Sequence, residues 1–242
     1  KRMRTLGITD FADYLKLVCA SDNLAERREL VSALTTNVTS FFREAHHFRY
    51  LAGIVIPALK TKLVNGHPIR LWSAGCSSGQ EPYSIAMECL RAIPDACRHD
   101  FLILATDIDP AILRRAADGL FSEHDLGEIC DADRQRFFDL GDSAGSYSVK
   151  EDLRRLVRFR ELNLHGDWPM RRQFDAIFCR NVVIYFDESH QQQLWPRFHA
   201  ALTDGGVLFL GHSERIQPLE GSGFQSIGVT IYRKARPDAV TR

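Results

Sequence analysis

Residues 71–86 have the residue types and spacing of a site for the polar end of a nucleotide-like ligand. A short apolar strand leads into a turn of small residues, and a helix follows with Pro82 in its first turn, where a missing N–H costs little. Gly75 and Gly79 keep side chains off the turn, so a ligand can approach the backbone closely. The unpartnered N–H groups of the helix start favour an anionic or carboxylate-bearing ligand. A tight strand–helix turn without a ligand is the alternative interpretation.

Acidic residues close the second predicted strand. A carboxylate at that strand end accepts hydrogen bonds from ribose hydroxyls, and we assign this role to Asp107. Asp109 precedes Pro110 and is interpreted as the cap of the next helix. Asp107 lies 32 residues after Gly75, beyond the roughly 20 of a dinucleotide fold, and G-x-G-x-x-G is absent. This disfavours a nicotinamide cofactor and favours S-adenosylmethionine.

Two further strand ends carry polar residues. Asn163 follows the third strand, where its side chain can reach an adenine edge while Leu164 lies against the adenine face. Arg180 and Asn181 directly follow the fourth strand, with Tyr185 soon after. Because ligands bind at the carboxyl ends of parallel strands, these residues are expected beside one cofactor. The alternatives are an ordinary turn asparagine at 163, a helix cap at 181 and a core tyrosine at 185.

The composition is that of a globular protein with a sizeable core. The 242 residues are 45% hydrophobic and 26% charged, and 31 Lys and Arg balance 31 Asp and Glu. Overall charge therefore gives no indication of nucleic acid, and no apolar run approaches the roughly 20 residues of a membrane helix. Six scattered cysteines without a C-x-x-C pair are typical of free thiols in a reducing cytoplasm. With no heptads, a monomer is expected.

The nine histidines show no H-E-x-x-H arrangement. His46 and His47 are adjacent, so on a helix they point about 100° apart and are poorly placed to share one ion. We therefore expect no metal site.

From about residue 69 the sequence predicts an α/β fold with a mostly parallel sheet covered on both faces. The predicted strands are 69–74, 101–106, 156–161, 174–179, 206–211 and 226–233. The predicted helices are 82–93, 110–118, 188–202 and a shorter one near 213–219. Residues before about 50 have helical spacing, with a helix start at Thr39 or Ser40. The polar stretch 119–155 interrupts this alternation and is interpreted as an insertion, either a passive loop or a partner-recognition element, with a strand near 147–149.

Several segments resemble the chemoreceptor glutamate O-methyltransferases, the bacterial chemotaxis methylating enzymes. They include NVTSFFREAHHF at 37–48, WSAGCSSGQEPYS at 72–84 and GHSE at 211–214, with 107–109, 163–164 and 174–186, in the family's order. The resemblance covers nearly the whole chain. It implies a small all-helical N-terminal domain at 1–50 and a Rossmann-like S-adenosylmethionine-binding domain at 51–242. It also implies an inserted β-subdomain at 119–155 for receptor contact.

The resemblance also implies a set of cofactor-binding residues, joined by two residues of the glycine turn. They are Asn37, Thr39, Arg43, Ala74, Gly75, Glu81, Asp107, Asn163, Leu164, Arg180 and Asn181. Arg43 and Tyr185 are the expected catalytic residues, since Tyr185 falls near the transferred methyl. Gln80 stands where some members carry a second acid, and Glu81 remains.

The implied reaction moves a methyl group from S-adenosylmethionine to a glutamate carboxylate on the cytoplasmic helical domain of a chemoreceptor. A glutamate with a pKa near 4.3 is already ionised, so positioning matters more than a general base. Arg43 is expected to hold that carboxylate bidentately, and an ion pair with Glu44 is its alternative. In residues 1–70, 11 basic side chains against 6 acidic ones suit an acidic receptor helix. Some members grip a receptor peptide with a loop that is longer than 140–149 here, so direct engagement of the helix is expected.

Three other functions compete with this interpretation. A methyltransferase for a small molecule or RNA would share the α/β domain but would not explain 37–48, and RNA binding usually brings a stronger basic patch. A non-catalytic S-adenosylmethionine sensor or adaptor would not need Arg43 or Tyr185. A nicotinamide oxidoreductase conflicts with the spacing of Gly75 and Asp107.

Overall fold

A seven-stranded sheet forms the centre of the fold. The computed structural model describes residues 2–20, 23–35 and 37–235. The helices are α1 (Arg2–Thr5), α2 (Phe11–Cys19), α3 (Leu24–Leu34), α4 (Ala45–Tyr50), α5 (Ile56–Val64), α6 (Gln80–Ala92), α7 (Pro110–Asp118), α8 (Asp131–Phe137), α9 (Glu151–Leu156) and α10 (Glu188–Ala201). The strands are β1 (Ile69–Ala74), β2 (Phe101–Asp107), β3 (Leu120–Ser122), β4 (Phe138–Leu140), β5 (Ser146–Val149), β6 (Val157–Glu161), β7 (Phe174–Cys179), β8 (Leu202–Leu210), β9 (Phe224–Gly228) and β10 (Ile231–Lys234).

The large sheet has the order β6-β2-β1-β7-β8-β10-β9. Its first five strands run parallel, and β10 is antiparallel to both of its neighbours. Every residue of β7 is buried, as expected for a parallel strand with helices on both faces. The α/β fold with a mostly parallel sheet is confirmed, and the carboxyl ends of β6, β2, β1 and β7 lie side by side.

The insertion forms a small antiparallel sheet of order β3-β5-β4. The strand expected near 147–149 is present as β5 and lies between the other two. Phe121 and Phe138 pack edge-on against Phe41, with ring centroids 4.9 and 5.7 Å away. Aromatic edge-to-face contacts of this kind fix relative orientation as well as burying area. The small sheet is thereby anchored to the N-terminal segment that carries Arg43.

Three predicted elements are wrong. The strand expected over 226–233 is a hairpin of β9 and β10, because Thr230 adopts a left-handed φ of 54° and reverses the chain. The helix expected near 213–219 does not form. The helix expected to start at Thr39 or Ser40 begins only at Ala45, since Phe42 and Glu44 have φ values of 52° and 60° that a right-handed helix cannot contain.

No helix in the described ranges combines the length and the apolar character needed to cross a membrane. A spanning helix needs about 20 predominantly apolar residues.

Candidate functional site

A cavity of about 350 Å³ lies at the carboxyl ends of β1, β2, β6 and β7. This is within the usual size range of small-molecule sites, and its position is the one that parallel sheets favour for ligands. The end of α3 and the segment 37–43 cover the opposite side. The lining residues are Val31, Leu34, Thr35, Asn37, Val38, Thr39, Ser40, Arg43, Gly75, Ser77, Glu81, Asp107, Ile108, Leu162, Asn163, Leu164, His165, Arg180, Asn181, Val182, Tyr185 and Phe186.

The cavity brings together all but one of the residues proposed from the sequence. The exception is Ala74, which is fully buried in β1 and does not line the cavity. Sequence reasoning missed the α3 wall, represented by Val31 and Leu34, because nothing local indicates which face of a helix will meet a distant cavity. It also missed Ser77 and His165, which directly adjoin predicted motifs.

Gly75 makes the turn after β1 possible. Its φ is 85°, and a Cβ atom at this position would lie 2.3 Å from Cγ2 of Val182. The backbone N–H groups of Gly75 and Cys76 both donate to the carbonyl of Thr106. The turn therefore packs directly against the loop after β7, and a glycine is required for both conformational and steric reasons.

Asp107 and Asp109 accept hydrogen bonds from different backbone groups. Asp107 accepts hydrogen bonds from the N–H of Ser77 at 2.8 Å and of Asp109 at 3.1 Å. Burial raises the pKa of Asp107, and these backbone bonds oppose the rise. Asp109 accepts from the N–H of Ala111 at 2.8 Å and so caps α7, which confirms the predicted cap. The carboxylate of Asp107 remains part of the cavity wall.

The segment 37–43 is tied to the glycine turn and to α6. Ser77 Oγ donates to the carbonyl of Asn37 at 3.2 Å, and the N–H of Phe42 donates to Ser84 Oγ at 3.0 Å. Arg43 donates from Nη1 to the carbonyl of Val38 at 3.0 Å. Among the described residues Arg43 has no ion-pair partner, so the alternative pairing with Glu44 is wrong.

Arg180 is the centre of a buried charge network. Its Nε lies 3.6 Å from Oε2 of Glu44, and its Nη1 lies 3.3 Å from Oε2 of Glu81. Its Nη2 donates to the carbonyl of Arg43, and its guanidinium stands over the ring of Phe48. Arg180 therefore lines the cavity while its charge links the N-terminal segment to α6.

The two carboxylates beside Arg180 have opposite pKa shifts. Burial raises the pKa of Glu81, although the charge of Arg180 and a 2.6 Å hydrogen bond from Ser73 Oγ oppose the rise. Burial also opposes ionisation of Glu44, but the charge of Arg180 and the bonds from His212 outweigh it and lower the pKa of Glu44. Of these two carboxylates, Glu44 is therefore the one whose ionised form is favoured.

The expected divergence of His46 and His47 is wrong. Their ring centroids are 4.1 Å apart, and potential ligand atoms of Glu44, His46 and His47 all lie within 4.8 Å of one another. The rings converge because His46 Nε2 meets the carbonyl of Val229 at 3.1 Å and His47 Nε2 meets Thr230 Oγ1 at 3.0 Å. A divalent cation at this cluster would face repulsion from the guanidinium of Arg180.

His47 should make the protein acid-sensitive. Burial, reinforced by the charge of Arg180, lowers the pKa of His47 from 6.5 to about 3. Between those pH values the unfolded chain binds a proton that the folded chain does not, so stability falls as pH drops below 6.5. The contribution approaches about 1.4 kcal/mol per pH unit. His47→Gln should flatten this acid slope in urea unfolding, whereas His124→Gln, at an exposed site, should not. Equal slopes in wild type and His47→Gln would contradict the assignment.

The loop after β7 completes the site. Asn181 has a left-handed φ of 58°, and its N–H donates to Glu214 at 3.0 Å. The alternative interpretation of Asn181 as a helix cap is therefore wrong. Tyr185 ends a short 3₁₀ helix (Val183–Tyr185) and is 61% exposed at the cavity mouth. Core packing, the alternative for Tyr185, is therefore wrong.

A family profile and the curated relatives indicate the same family for this chain. The sequence profile of the family described as "CheR methyltransferase, SAM binding domain" matches residues 37–233. The match begins at the segment that covers the cavity and ends in β10.

Curated relatives align along almost the whole chain. A "Probable chemotaxis protein methyltransferase" of Rhizobium etli is 46% identical over 96% of this chain and 88% of its own length. A "Chemotaxis protein methyltransferase" of Escherichia coli is 39% identical over 96% of this chain and 79% of its own. A "Chemotaxis protein methyltransferase 2" of Pseudomonas aeruginosa is 39% identical over 97% and 82%. The chain thus spans more than three quarters of each relative.

Proposed function

This chain belongs to the CheR methyltransferase family, and we propose that it transfers the methyl group of S-adenosylmethionine to glutamate side chains of bacterial chemoreceptors. The products are glutamate methyl esters and S-adenosylhomocysteine. One observation supports a carboxylate as the methyl acceptor. Arg43 lines the cavity and has no ion-pair partner among the described residues. A guanidinium held there matches a carboxylate with two parallel hydrogen bonds.

The polar groups of the cavity suit the methyl donor. Asp107 at the end of β2 would accept from ribose hydroxyls, and Asn163 and Leu164, which line the same cavity, would contact adenine. The carboxylate of Asp107 adds negative charge that favours a cationic ligand. When bound, S-adenosylmethionine supplies a methyl group on a positively charged sulfur.

The chain's own task is orientation. A receptor glutamate is ionised at neutral pH, so no general base is needed. Arg43 would hold the carboxylate in line with the methyl group, and Tyr185 would shape the pocket around that methyl. Attack brings a carboxylate and a sulfonium together, and their charges cancel as the ester forms. Any water that 37–43 excludes from the cavity would strengthen this attraction.

The cavity mouth suits a helix as the protein substrate. Leu34 and Val38 are 73% and 77% exposed, and Tyr185, which lines the same cavity, is 61% exposed. Apolar groups this exposed at a site entrance favour contact with a partner's surface. The helical region 1–50 would dock on the cytoplasmic helices of the receptor, and the subdomain 119–155, with Leu120 and Leu140 exposed, would add a second contact.

Methyl transfer to a purified receptor cytoplasmic domain tests this function. We expect radiolabel from S-adenosylmethionine to appear on the receptor and to be released by mild alkali, as a carboxyl methyl ester requires. A receptor with glutamine at its acceptor positions is the matched control and should stay unlabelled. Tight binding of S-adenosylhomocysteine without transfer to any of a panel of receptors would contradict the proposal and indicate a non-catalytic sensor.

A further inference from the structure

One buried carboxylate collects the backbone donors of the loop after β7. Oε1 of Glu214 accepts from the N–H groups of Val182 and Val183 at 2.8 Å each, and of Ile184 at 3.3 Å. Oε2 accepts from the N–H of Asn181 at 3.0 Å and of Gly211 at 2.5 Å. Four consecutive backbone N–H groups, 181–184, thus converge on a single side chain.

Five backbone donors satisfy the oxygens of the Glu214 carboxylate. Glu214 is 3% exposed, and no lysine or arginine in the described ranges forms an ion pair with it. Burial raises the pKa of Glu214, and the backbone hydrogen bonds oppose that rise. A buried carboxylate is costly unless its oxygens are satisfied, so this side chain and this loop conformation depend on each other.

Two local features accommodate this arrangement. Asn181 takes a left-handed φ of 58°, which turns its N–H inward toward the carboxylate. Gly211 leaves room for the carboxylate, since a Cβ there would lie 2.8 Å from Oε2 of Glu214 and 2.7 Å from the N of Asn181. The segment 213–219 forms no helix, and Pro218 near its end disfavours the helical conformation in the residue before it.

The loop that Glu214 holds carries cavity residues within the bonded run and directly after it. Asn181 and Val182 line the cavity directly, and Tyr185 and Phe186 follow at its mouth. Val182 also packs against the glycine turn, so a shift of the loop would change its contact with Gly75.

We propose that Glu214 is a positioning residue for methyl transfer: its carboxylate fixes the loop 181–184 and thereby the place of Tyr185 beside the transferred methyl. This rests on the proposed function for the role of Tyr185. The fixing of the loop itself is independent of any ligand.

Glu214→Gln tests the proposal with the least change in shape. The amide keeps one acceptor oxygen but presents an NH₂ group to backbone donors. We expect faster hydrogen exchange at amides 181–184 in the ligand-free protein, and a drop in kcat of about tenfold that exceeds any change in KM for S-adenosylmethionine. Glu220→Gln, six residues along at an exposed site, should change neither.

A double variant separates positioning from general stability. If Glu214 acts through Tyr185, the loss caused by Tyr185→Phe should largely disappear in the Glu214→Gln background, whereas independent effects would multiply.

If Glu214→Gln fails to fold, Gly211→Ala displaces the carboxylate without removing it and should raise hydrogen exchange at amides 181–184. Unchanged exchange at these amides, or multiplicative kinetic effects, would overturn the proposal. Failure of wild type to bind S-adenosylhomocysteine would instead refute the proposed function.

Discussion

Arg43→Ala is expected to abolish most methyl transfer while leaving the protein folded. The side chain lines the cavity and makes one hydrogen bond to the carbonyl of Val38, so its removal costs little internal structure. Without the guanidinium fork the acceptor carboxylate loses its orientation, and misorientation of reactants is worth on the order of 100-fold in rate. The measurement is kcat/KM for a receptor domain, together with the affinity for S-adenosylhomocysteine.

Matched variants separate charge, geometry and site. Arg49→Ala removes an exposed arginine from the adjoining helix and should leave turnover near normal. Arg43→Lys keeps the charge but not the planar fork, and should recover only part of the activity. Tyr185→Phe keeps the ring and should lose less than Arg43→Ala. Near-normal turnover in Arg43→Ala would remove Arg43 from the mechanism.

Gly75→Ala is expected to weaken binding of S-adenosylhomocysteine by at least about tenfold and to destabilise the fold. The left-handed φ of 85° costs an alanine about 1–2 kcal/mol. The new Cβ would also meet Val182 at 2.3 Å, and overpacking of this kind adds about 1–3 kcal/mol. The clash with Val182 is relieved only if the loop after β7 moves, and this loop lines the cavity. Calorimetric titration and urea unfolding measure the two effects.

Gly66→Ala is the control for backbone conformation alone. Gly66 has a φ of 74°, but a Cβ there would meet nothing within 4 Å. It should therefore show the conformational cost of about 1–2 kcal/mol and no change in ligand affinity. Equal affinities for wild type and Gly75→Ala would show that the contact with Val182 does not shape the site.

The sheet was predictable because its signal is local. Short apolar runs such as β1 and β7 are typical of strands buried on both faces, and polar residues follow each run at the edge where parallel strands end. Asp107 and Asn163 were therefore placed beside the same cavity without knowledge of the strand order. The cap at Asp109 was predictable for the same reason, since it depends on two neighbouring residues.

The hairpin between β9 and β10 was not predictable in this way. Val229 and Thr230 are β-branched and favour a continuous strand, and no Asn-Gly or Asp-Gly pair marks a turn. Thr230 nevertheless reverses the chain because distant groups hold it: His47 Nε2 meets its hydroxyl, and its carbonyl accepts from the N–H of Leu210. These tertiary bonds, made by residues far away in sequence, outweigh the local preference.

The sequence by itself determined the α/β class, the glycine turn and the set of polar strand ends, because periodicity and turn chemistry act over a few residues. Only the tertiary structure decided which charges meet. Arg180 lies between Glu44 and Glu81, Arg43 is left without an ion pair among the described residues, and Glu214 reaches the loop 181–184. Such contacts depend on how separate segments pack. Burial strengthens each hydrogen bond or ion pair, so that it can fix the conformation of the local backbone.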